Sequence, residues 1–178
     1  MAKTQSKLAS VDPVWDQIKY DARQAAAAEP LIGGFVHATI LHHASIGKAL
    51  SYRIGAKLSS NEMSMMVVRE IVDQAYSGLV DAARADLVAI YDRDPACHRL
   101  LQPILYFKGY QAVQAYRVSH YLWMRGQRDL AYFFQMRVSE IFGVDIHPGA
   151  RMGKGIMIDH AHSVVIGETA VVGDNVSM

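Results

Sequence analysis

The sequence has 178 residues, which is enough for one hydrophobic core or a core with a small appendage. Its 18 Lys and Arg residues nearly balance 17 Asp and Glu residues; no basic tract indicates a nucleic-acid partner, and no acidic tail indicates a solvating arm. No apolar run approaches the roughly 20 residues that span a bilayer, and the amino terminus lacks the apolar segment of a signal peptide. The single cysteine, Cys97, excludes an intrachain disulfide and suits a reducing compartment. These features predict a soluble cytoplasmic protein without a membrane or nucleic-acid partner.

The first half of the chain shows helical periodicity. Asp12 and Pro13 predict a helix start, with Asp as the N-cap and Pro in the first turn, and this helix should run to Glu29. Apolar residues at helical spacing predict two further helices over residues 31–43 and 45–58.

Helical patterns continue to residue 142. Ser59 and Glu62 form a predicted capping box that opens one long helix, ending before Pro95. An aromatic, amphipathic helix is predicted over 106–125, and a last helix over 127–142. The region 1–142 is therefore predicted to be an all-helical domain.

A different period begins at Val144. Apolar residues recur there every six positions, with one interval of eight, at Ile146, Met152, Ile158, Ile166, Val172 and Met178. A period of six fits a solenoid in which three short strands close one triangular coil. The expected fold is thus mainly α with α+β character, with a helical domain followed by the first coils of a parallel solenoid over 143–178.

The interval of eight residues carries the ionisable side chains of the repeat. Two extra residues interrupt the register between Ile158 and Ile166, in the unit that contains Asp159, His160 and His162. Irregular segments on a rigid scaffold often carry functional sites, although a tolerated loop insertion is an equally good interpretation. The repeats also make fewer than two coils, whereas a solenoid usually needs about three or more repeats and a capped end. The chain is therefore expected to be a fragment cut inside its second domain.

His160 is a candidate general base. An imidazole can take a proton from an alcohol if a carboxylate holds its other ring nitrogen. Asp145 lies within one coil of His160 and could be that carboxylate, directly or across a subunit boundary. Alternatively, Asp145 caps a corner and His160 is a polar surface residue. His147, His160 and His162 could in principle bind zinc, as in a hydratase on such a prism, but only two of them share a unit, so we expect no metal.

Four segments carry a family resemblance. They are EPLIGGFVHATILHHASIGKALSYRIGAKL, DRDPAC, LYFKGYQAVQAYRVSHYLW and VDIHPGARMGKGIMIDHAHSVVIGETAVVGDNVSM. Together they closely resemble bacterial serine acetyltransferase, and the resemblance extends from Trp15 onward. The DHA sequence inside a hexapeptide repeat, joined to this helical domain, is the most specific part.

The resemblance implies a fold, a reaction and an assembly. The fold is a helical domain followed by a left-handed parallel β-helix, a handedness that is an exception to the usual crossover rule. The reaction transfers acetyl from acetyl-CoA to the hydroxyl of L-serine, giving O-acetylserine in the first step of cysteine biosynthesis. Trimers with active sites between subunits would pair through the helical domains into a hexamer, a dimer of trimers. The family also binds O-acetylserine sulfhydrylase through a C-terminal tail that this sequence does not contain.

The resemblance also assigns roles by position. His160 matches the general base, Asp145 its paired carboxylate, and Asp94 and Asp159 the residues that hold serine. A downstream histidine and arginine of the family, and most of its CoA groove, have no counterpart here. We therefore expect little or no activity from these 178 residues. The alternatives are a non-catalytic oligomerisation fragment and another hexapeptide acyltransferase that acts on homoserine or a sugar.

Overall fold

Helices precede short parallel strands in this protein. The computed structural model describes residues 12–178, and the polar leader, for which no signal segment is predicted, lies outside them. The helices are α1 (Pro13–Ala28), α2 (Gly33–Val36), α3 (Ile46–Leu58), α4 (Met65–Tyr76), α5 (Val80–Arg93), α6 (Leu101–Leu105), α7 (Lys108–Met124) and α8 (Arg128–Phe142). The strands are β1 (Val144–Ile146), β2 (Arg151–Met152), β3 (Val164–Ile166) and β4 (Val171–Val172). Across 12–178, no helix combines the length and apolar character that crossing a bilayer requires.

Several predicted helix ends are confirmed. Asp12 caps α1, because its Oδ1 accepts a hydrogen bond from the amide of Trp15 at 3.1 Å, and Pro13 is the first helical residue. Ser45 caps α3 in the same way. Helix α8 ends at Gly143, whose φ of 67° places it in the left-handed region that favours glycine.

The predicted long helix after Ser59 is wrong. Ser59 terminates α3, where its amide bonds to the carbonyl of Gly55, and the N-cap of α4 is Ser64 instead. The helix also breaks between Tyr76 and Val80, at Ser-Gly-Leu. Glycine has a low helix propensity, and the Ser77 hydroxyl donates to the Gln74 carbonyl and so competes with the helical bonds.

The predicted helix over 31–43 is irregular. It begins with a 3₁₀ turn at Pro30–Ile32, continues as α2, and closes with a π-helical turn at His37–Leu41. In that turn the amide of His42 bonds to the carbonyl of His37, five residues earlier, at 2.9 Å. The short helix α6 was not predicted, because five residues are too few to show a period.

The strands stack one coil above the next. β1 pairs in parallel with β3, β2 pairs in parallel with β4, and an isolated parallel bridge joins Met157 to Ser177. Each partner lies 20 residues further along the chain, as in Val144 with Val164. This offset equals three six-residue units plus the two extra residues, so the predicted parallel repeat and its slip are confirmed.

Helix α7 packs against both parts of the chain. Its residues from Gly109 to Ser119 are all buried, and one continuous apolar core joins the helices to the coil. The hydroxyl of Tyr116 donates to the carbonyl of Ala150 at 2.5 Å, and the Nδ1 atom of His120 lies 2.7 Å from the carbonyl oxygen of Pro148. The helical region therefore supports the coil directly.

Candidate active site

A cavity of about 580 Å³ lies where the end of α5, the start of α7 and the interrupted turn of the coil meet. Most of its wall is apolar. Its charged and imidazole side chains are Asp94, Lys108, Asp159 and His160. Three of the four site residues expected from the sequence therefore share one cavity, although they are up to 66 positions apart in the chain.

Asp145 is the expected site residue that lies elsewhere. It sits on β1, half-buried, and its Oδ1 accepts a hydrogen bond of 2.6 Å from Nε2 of Gln135 on α8. Within residues 12–178 its carboxylate has no hydrogen bond to His160 and does not line the cavity. A pairing of Asp145 with His160 stays a prediction.

The turn that carries His160 has an unusual backbone. His160, Ala161 and Ser163 have φ values of 51°, 48° and 55°, a region that residues other than glycine seldom adopt. Such residues cost of order 1–3 kcal/mol each and cluster at functional sites. The two extra residues of the repeat are thus accommodated in a turn whose backbone is in the left-handed region, and the His160 side chain is exposed to solvent.

Asp159 contacts His160 twice. Its Oδ1 accepts the backbone amide of His160 at 2.8 Å, and its Oδ2 lies 3.6 Å from Nε2 of the imidazole. The His160 side chain is 92% exposed, so a ligand in the cavity can reach it.

A glycine on α7 allows this turn to sit close to the helix. A Cβ atom on Gly109 would lie 2.0 Å from the carbonyl oxygen of Ile158 and 3.2 Å from Cβ of Ala161. Both distances are shorter than van der Waals contact, so only glycine fits between α7 and the turn. Ala161 is fully buried there, and this anchors the residue next to His160.

An arginine clamp holds the Asp94 side of the cavity. Nη1 of Arg93, the last residue of α5, donates to the carbonyls of Gly155 and Asn175, both at 3.1 Å. These two carbonyls belong to successive layers of the coil. The Asp94 side chain is fixed in turn by the amide of Ala96, which donates to its Oδ1 at 2.8 Å.

A buried ion pair provides a second link between the helices and the coil. Nε and Nη2 of Arg117 donate to the two oxygens of Asp86, each at 2.8 Å, and Asp86 is fully buried. Asp86 also accepts the amide of Ile156 at 2.9 Å, and Arg117 donates to the carbonyl of Gly153 at 2.8 Å. The pair therefore fixes the coil segment that leads into the cavity.

Sequence reasoning did not find the residues that support the site. Lys108, Gly109 and Arg93 lie in segments that carry the family resemblance, but nothing in a single sequence marks these residues individually. Asp86 and Arg117 had a usable signal, because each is a charged residue on the apolar stripe of its helix, where an unpaired charge is costly.

The cavity suits a small zwitterion that carries a hydroxyl group. Asp94 and Asp159 can receive an ammonium group, Lys108 can receive a carboxylate, and His160 can accept a proton from the hydroxyl. The neighbouring Cys97 is not a nucleophile, because burial raises the pKa of its thiol to about 11. Among residues 12–178, no three His, Cys, Asp or Glu side chains are arranged to hold a metal ion.

The chain is similar to acetyltransferases of one family. The domain described as serine acetyltransferase, N-terminal, matches residues 14–115, more than half of the chain. The serine acetyltransferase of Escherichia coli strain K12 is 48% identical over 168 residues, which cover 93% of this chain and 62% of that relative. The chain belongs to the serine acetyltransferase family, and it spans about three fifths of the length of this curated relative.

Solved structures agree with this assignment. The soybean serine acetyltransferase complexed with serine is 45% identical, with a TM-score of 0.90, and the match covers 93% of this chain and 69% of that one. The serine acetyltransferase of Brucella abortus strain S19 in complex with coenzyme A is 42% identical, with a TM-score of 0.92, and the match covers 97% and 70% of the two chains.

Proposed function

We propose that the protein acts as a serine O-acetyltransferase, which transfers the acetyl group of acetyl-CoA to the hydroxyl of L-serine. The observation that carries the proposal is that Asp94, Asp159 and His160 line one cavity in a chain of this family. The serine and coenzyme A bound in the soybean and Brucella relatives support the two substrates.

The proposed chemistry is direct transfer. The ammonium of serine pairs with Asp94 and Asp159, which leaves its hydroxyl facing His160. The imidazole removes the hydroxyl proton while the oxygen attacks the thioester carbonyl, and the tetrahedral intermediate then expels the CoA thiolate. The thiolate, or the solvent, takes the proton back from the imidazolium. No acyl-enzyme and no metal ion are required.

Asp145 is proposed to stabilise the imidazolium. Because Gln135 holds its carboxylate in the chain as it stands, the contact requires a rotation of the exposed His160 side chain or a neighbouring copy of the chain. Lys108 is proposed to face the carboxylate of serine, since this residue lines the same cavity.

We also propose that residues 143–178 form the first coils of a left-handed β-helix, and that residues 1–142 form an N-terminal helical oligomerisation domain. The constant 20-residue offset of the strand pairs supports the coil. Val165 and Val171 on β3 and β4 are 76% and 65% exposed, as expected of faces that other copies cover in a trimer. A hexamer built from two trimers and a complex with O-acetylserine sulfhydrylase stay predictions of the family resemblance, and a cytoplasmic location stays a prediction from the sequence composition.

Serine binding can be tested on the chain itself. L-Serine should shift the imidazole NMR signals of His160, and Asp94→Asn should weaken binding about tenfold or more, because it removes a charge-assisted hydrogen bond. Asp92→Asn is the matched control, since this exposed carboxylate lies at the end of α5, two residues before Asp94, and outside the cavity. Equal losses in both variants, or a response to L-homoserine as strong as that to L-serine, would contradict the proposed substrate.

Acetyl transfer needs a second assay. Because the chain covers 62% of the Escherichia coli relative, thiol release from acetyl-CoA is measured on a chimaera in which the chain is joined to the remaining C-terminal residues of that relative. In that chimaera His160→Gln should lower kcat by a factor of roughly 10² to 10⁴, the usual contribution of a general base. Unchanged turnover in the variant would remove His160 from the mechanism.

A further inference from the structure

A second cavity lies in the helical region, between the π-helical turn, α3 and α4. Its volume is about 560 Å³, and its wall includes three imidazoles, a phenol ring and a guanidinium group: His37, His42, His43, Tyr52 and Arg69. Among the described residues 12–178, no carboxylate lines it. None of these residues contributes to the cavity that contains His160.

The geometry points to a binding site for a small oxyanion of the sulfate or phosphate class in this second cavity. Three features of the cavity support this inference. They are the guanidinium N–H groups of Arg69, the excess of cationic over acidic groups around the cavity, and the shape of the π-helical turn. The site is independent of the proposed acetyl transfer.

Arg69 provides hydrogen-bond donors that are not in use. Its guanidinium lies 5.6 Å from the centre of the Tyr52 ring, and within residues 12–178 it has no hydrogen bond or ion pair. Asp73 is the acidic group that acts on His43 of this cavity, and its Oδ2 lies 3.0 Å from Nζ of Lys48. A guanidinium fork matches the geometry of an oxyanion, so an anion would satisfy donors that the chain leaves open.

The π-helical turn brings the imidazoles together. Its wide turn, closed by the bond from the amide of His42 to the carbonyl of His37, places both side chains on the cavity wall. Such turns recur at functional sites in helices. The neighbouring His43 is buried, and its Nε2 lies 3.0 Å from the carbonyl oxygen of Ala38. Since Nε2 of His43 faces an acceptor, protonation at Nδ1 would add a further donor.

The charges around His43 make binding depend on pH. Burial, together with the positive charges of Arg69 and His42, lowers the pKa of His43, while the Ala38 carbonyl and Asp73 oppose this effect. The other charged or titratable groups nearby are His37, Tyr52 and Lys48. An anion would offset the repulsion among the cations, so binding and proton uptake should favour each other, and affinity should rise as the pH falls through the range in which imidazoles titrate.

The test uses sulfate, which keeps its two negative charges from pH 5.5 to 8, so that any pH dependence comes from the protein. Sulfate is titrated into the chain at constant ionic strength, with chloride as the balancing anion, and followed by calorimetry and by the histidine NMR signals. We expect saturable binding that perturbs His37, His42 and His43 but not His160, and that strengthens at least about threefold from pH 7.5 to 6.

Two variants separate the site from general ion effects. Arg69→Gln should weaken sulfate binding by about tenfold or more, because it removes the fork but keeps most of the side-chain stem. Arg125→Gln is the matched control, since this exposed guanidinium lies 5.3 Å from the ring of Tyr121, outside the cavity, and should have no effect. Inorganic phosphate is the second probe.

Three results would overturn the inference. These are the same sulfate affinity in the unaltered chain and in Arg69→Gln, an equal loss in Arg125→Gln, and histidine shifts that grow linearly without saturation. Circular dichroism and the Tm of each variant, measured without sulfate, identify a loss that comes from unfolding. If Arg69→Gln fails to fold, Arg69→Lys replaces it, and it should weaken binding by removing the fork geometry while keeping the charge.

Discussion

Gly109 leaves no room for a side chain between α7 and the coil, and a single methyl group there should distort the site. In Gly109→Ala the new Cβ would lie 2.0 Å from the carbonyl oxygen of Ile158. A normal contact needs the two atoms to separate by roughly 1 Å or more. The atom that must move is backbone, and it belongs to the residue before Asp159.

The energy can be estimated from opposing effects. Overpacking against a rigid neighbour costs about 1–3 kcal/mol, and a backbone clash this short belongs at the upper end. Alanine gains about 1 kcal/mol over glycine in a helix interior, and no more than this at Gly109, the second residue of α7. The free energy of unfolding of Gly109→Ala should therefore fall by about 2 kcal/mol or more. A displacement of this size at reacting groups can cost about a hundredfold in activity.

Urea unfolding and the NMR signals of His160 measure the two effects. Gly78→Ala is the matched control, because a Cβ on Gly78 meets no atom within 4 Å and should leave stability within about 1 kcal/mol of the unaltered chain. If Gly109→Ala were as stable as the control and left the His160 signals and serine binding unchanged, the reasoning on this contact would be refuted.

Three further predictions follow from buried titratable groups. Asp86→Asn leaves the charge of Arg117 buried without its partner, so the free energy of unfolding measured in urea should fall by about 3 kcal/mol. A fall of less than about 1 kcal/mol would contradict a stabilising role of the ion pair. Cys97 should react with iodoacetamide at pH 8 far more slowly in the folded chain than in urea, because burial raises its pKa to about 11; equal rates would refute this. His43 has a pKa below its ordinary value of 6.5, so the unfolded chain binds the proton first, and stability should fall as the pH drops below 6.5. His43→Gln should reduce this pH dependence, and an identical slope in the variant would count against the burial effect.

The sequence was most informative where a period or a cap determines the backbone locally. Asp12 and Pro13 define the first helix because their bonds are within one turn, and the interval from Ile158 to Ile166 predicts the 20-residue offset of the strands. The Ser59 capping box failed because Ser64 offered a competing cap five residues later. Local sequence rules cannot decide between two adequate caps when tertiary packing sets the helix axis.

The candidate site was predictable only in part. Asp159 and His160 are neighbours in the slip of the repeat, so the sequence alone indicated them. Asp94 was predicted as a site residue only from the family resemblance, because no local sequence pattern connects it with Asp159, 65 residues further along the chain. Lys108 and Gly109 could not be found, because their roles depend on how closely α7 approaches the coil, a distance that no single-sequence pattern encodes.

The polar residues of the helices that face the coil explain how the site is aligned. The corners of a short coil present backbone groups that point toward the helices, and buried backbone groups need hydrogen-bond partners. The chain supplies them from α5 and α7 through Asp86, Arg93, Tyr116, Arg117 and His120. An apolar interface would tolerate sliding or rotation of the helices. Each of these hydrogen bonds forms only at one position of the helix along the coil axis and at one rotation of the helix. The same bonds that satisfy the coil therefore hold Asp94 of the helical region beside Asp159 and His160 of the coil.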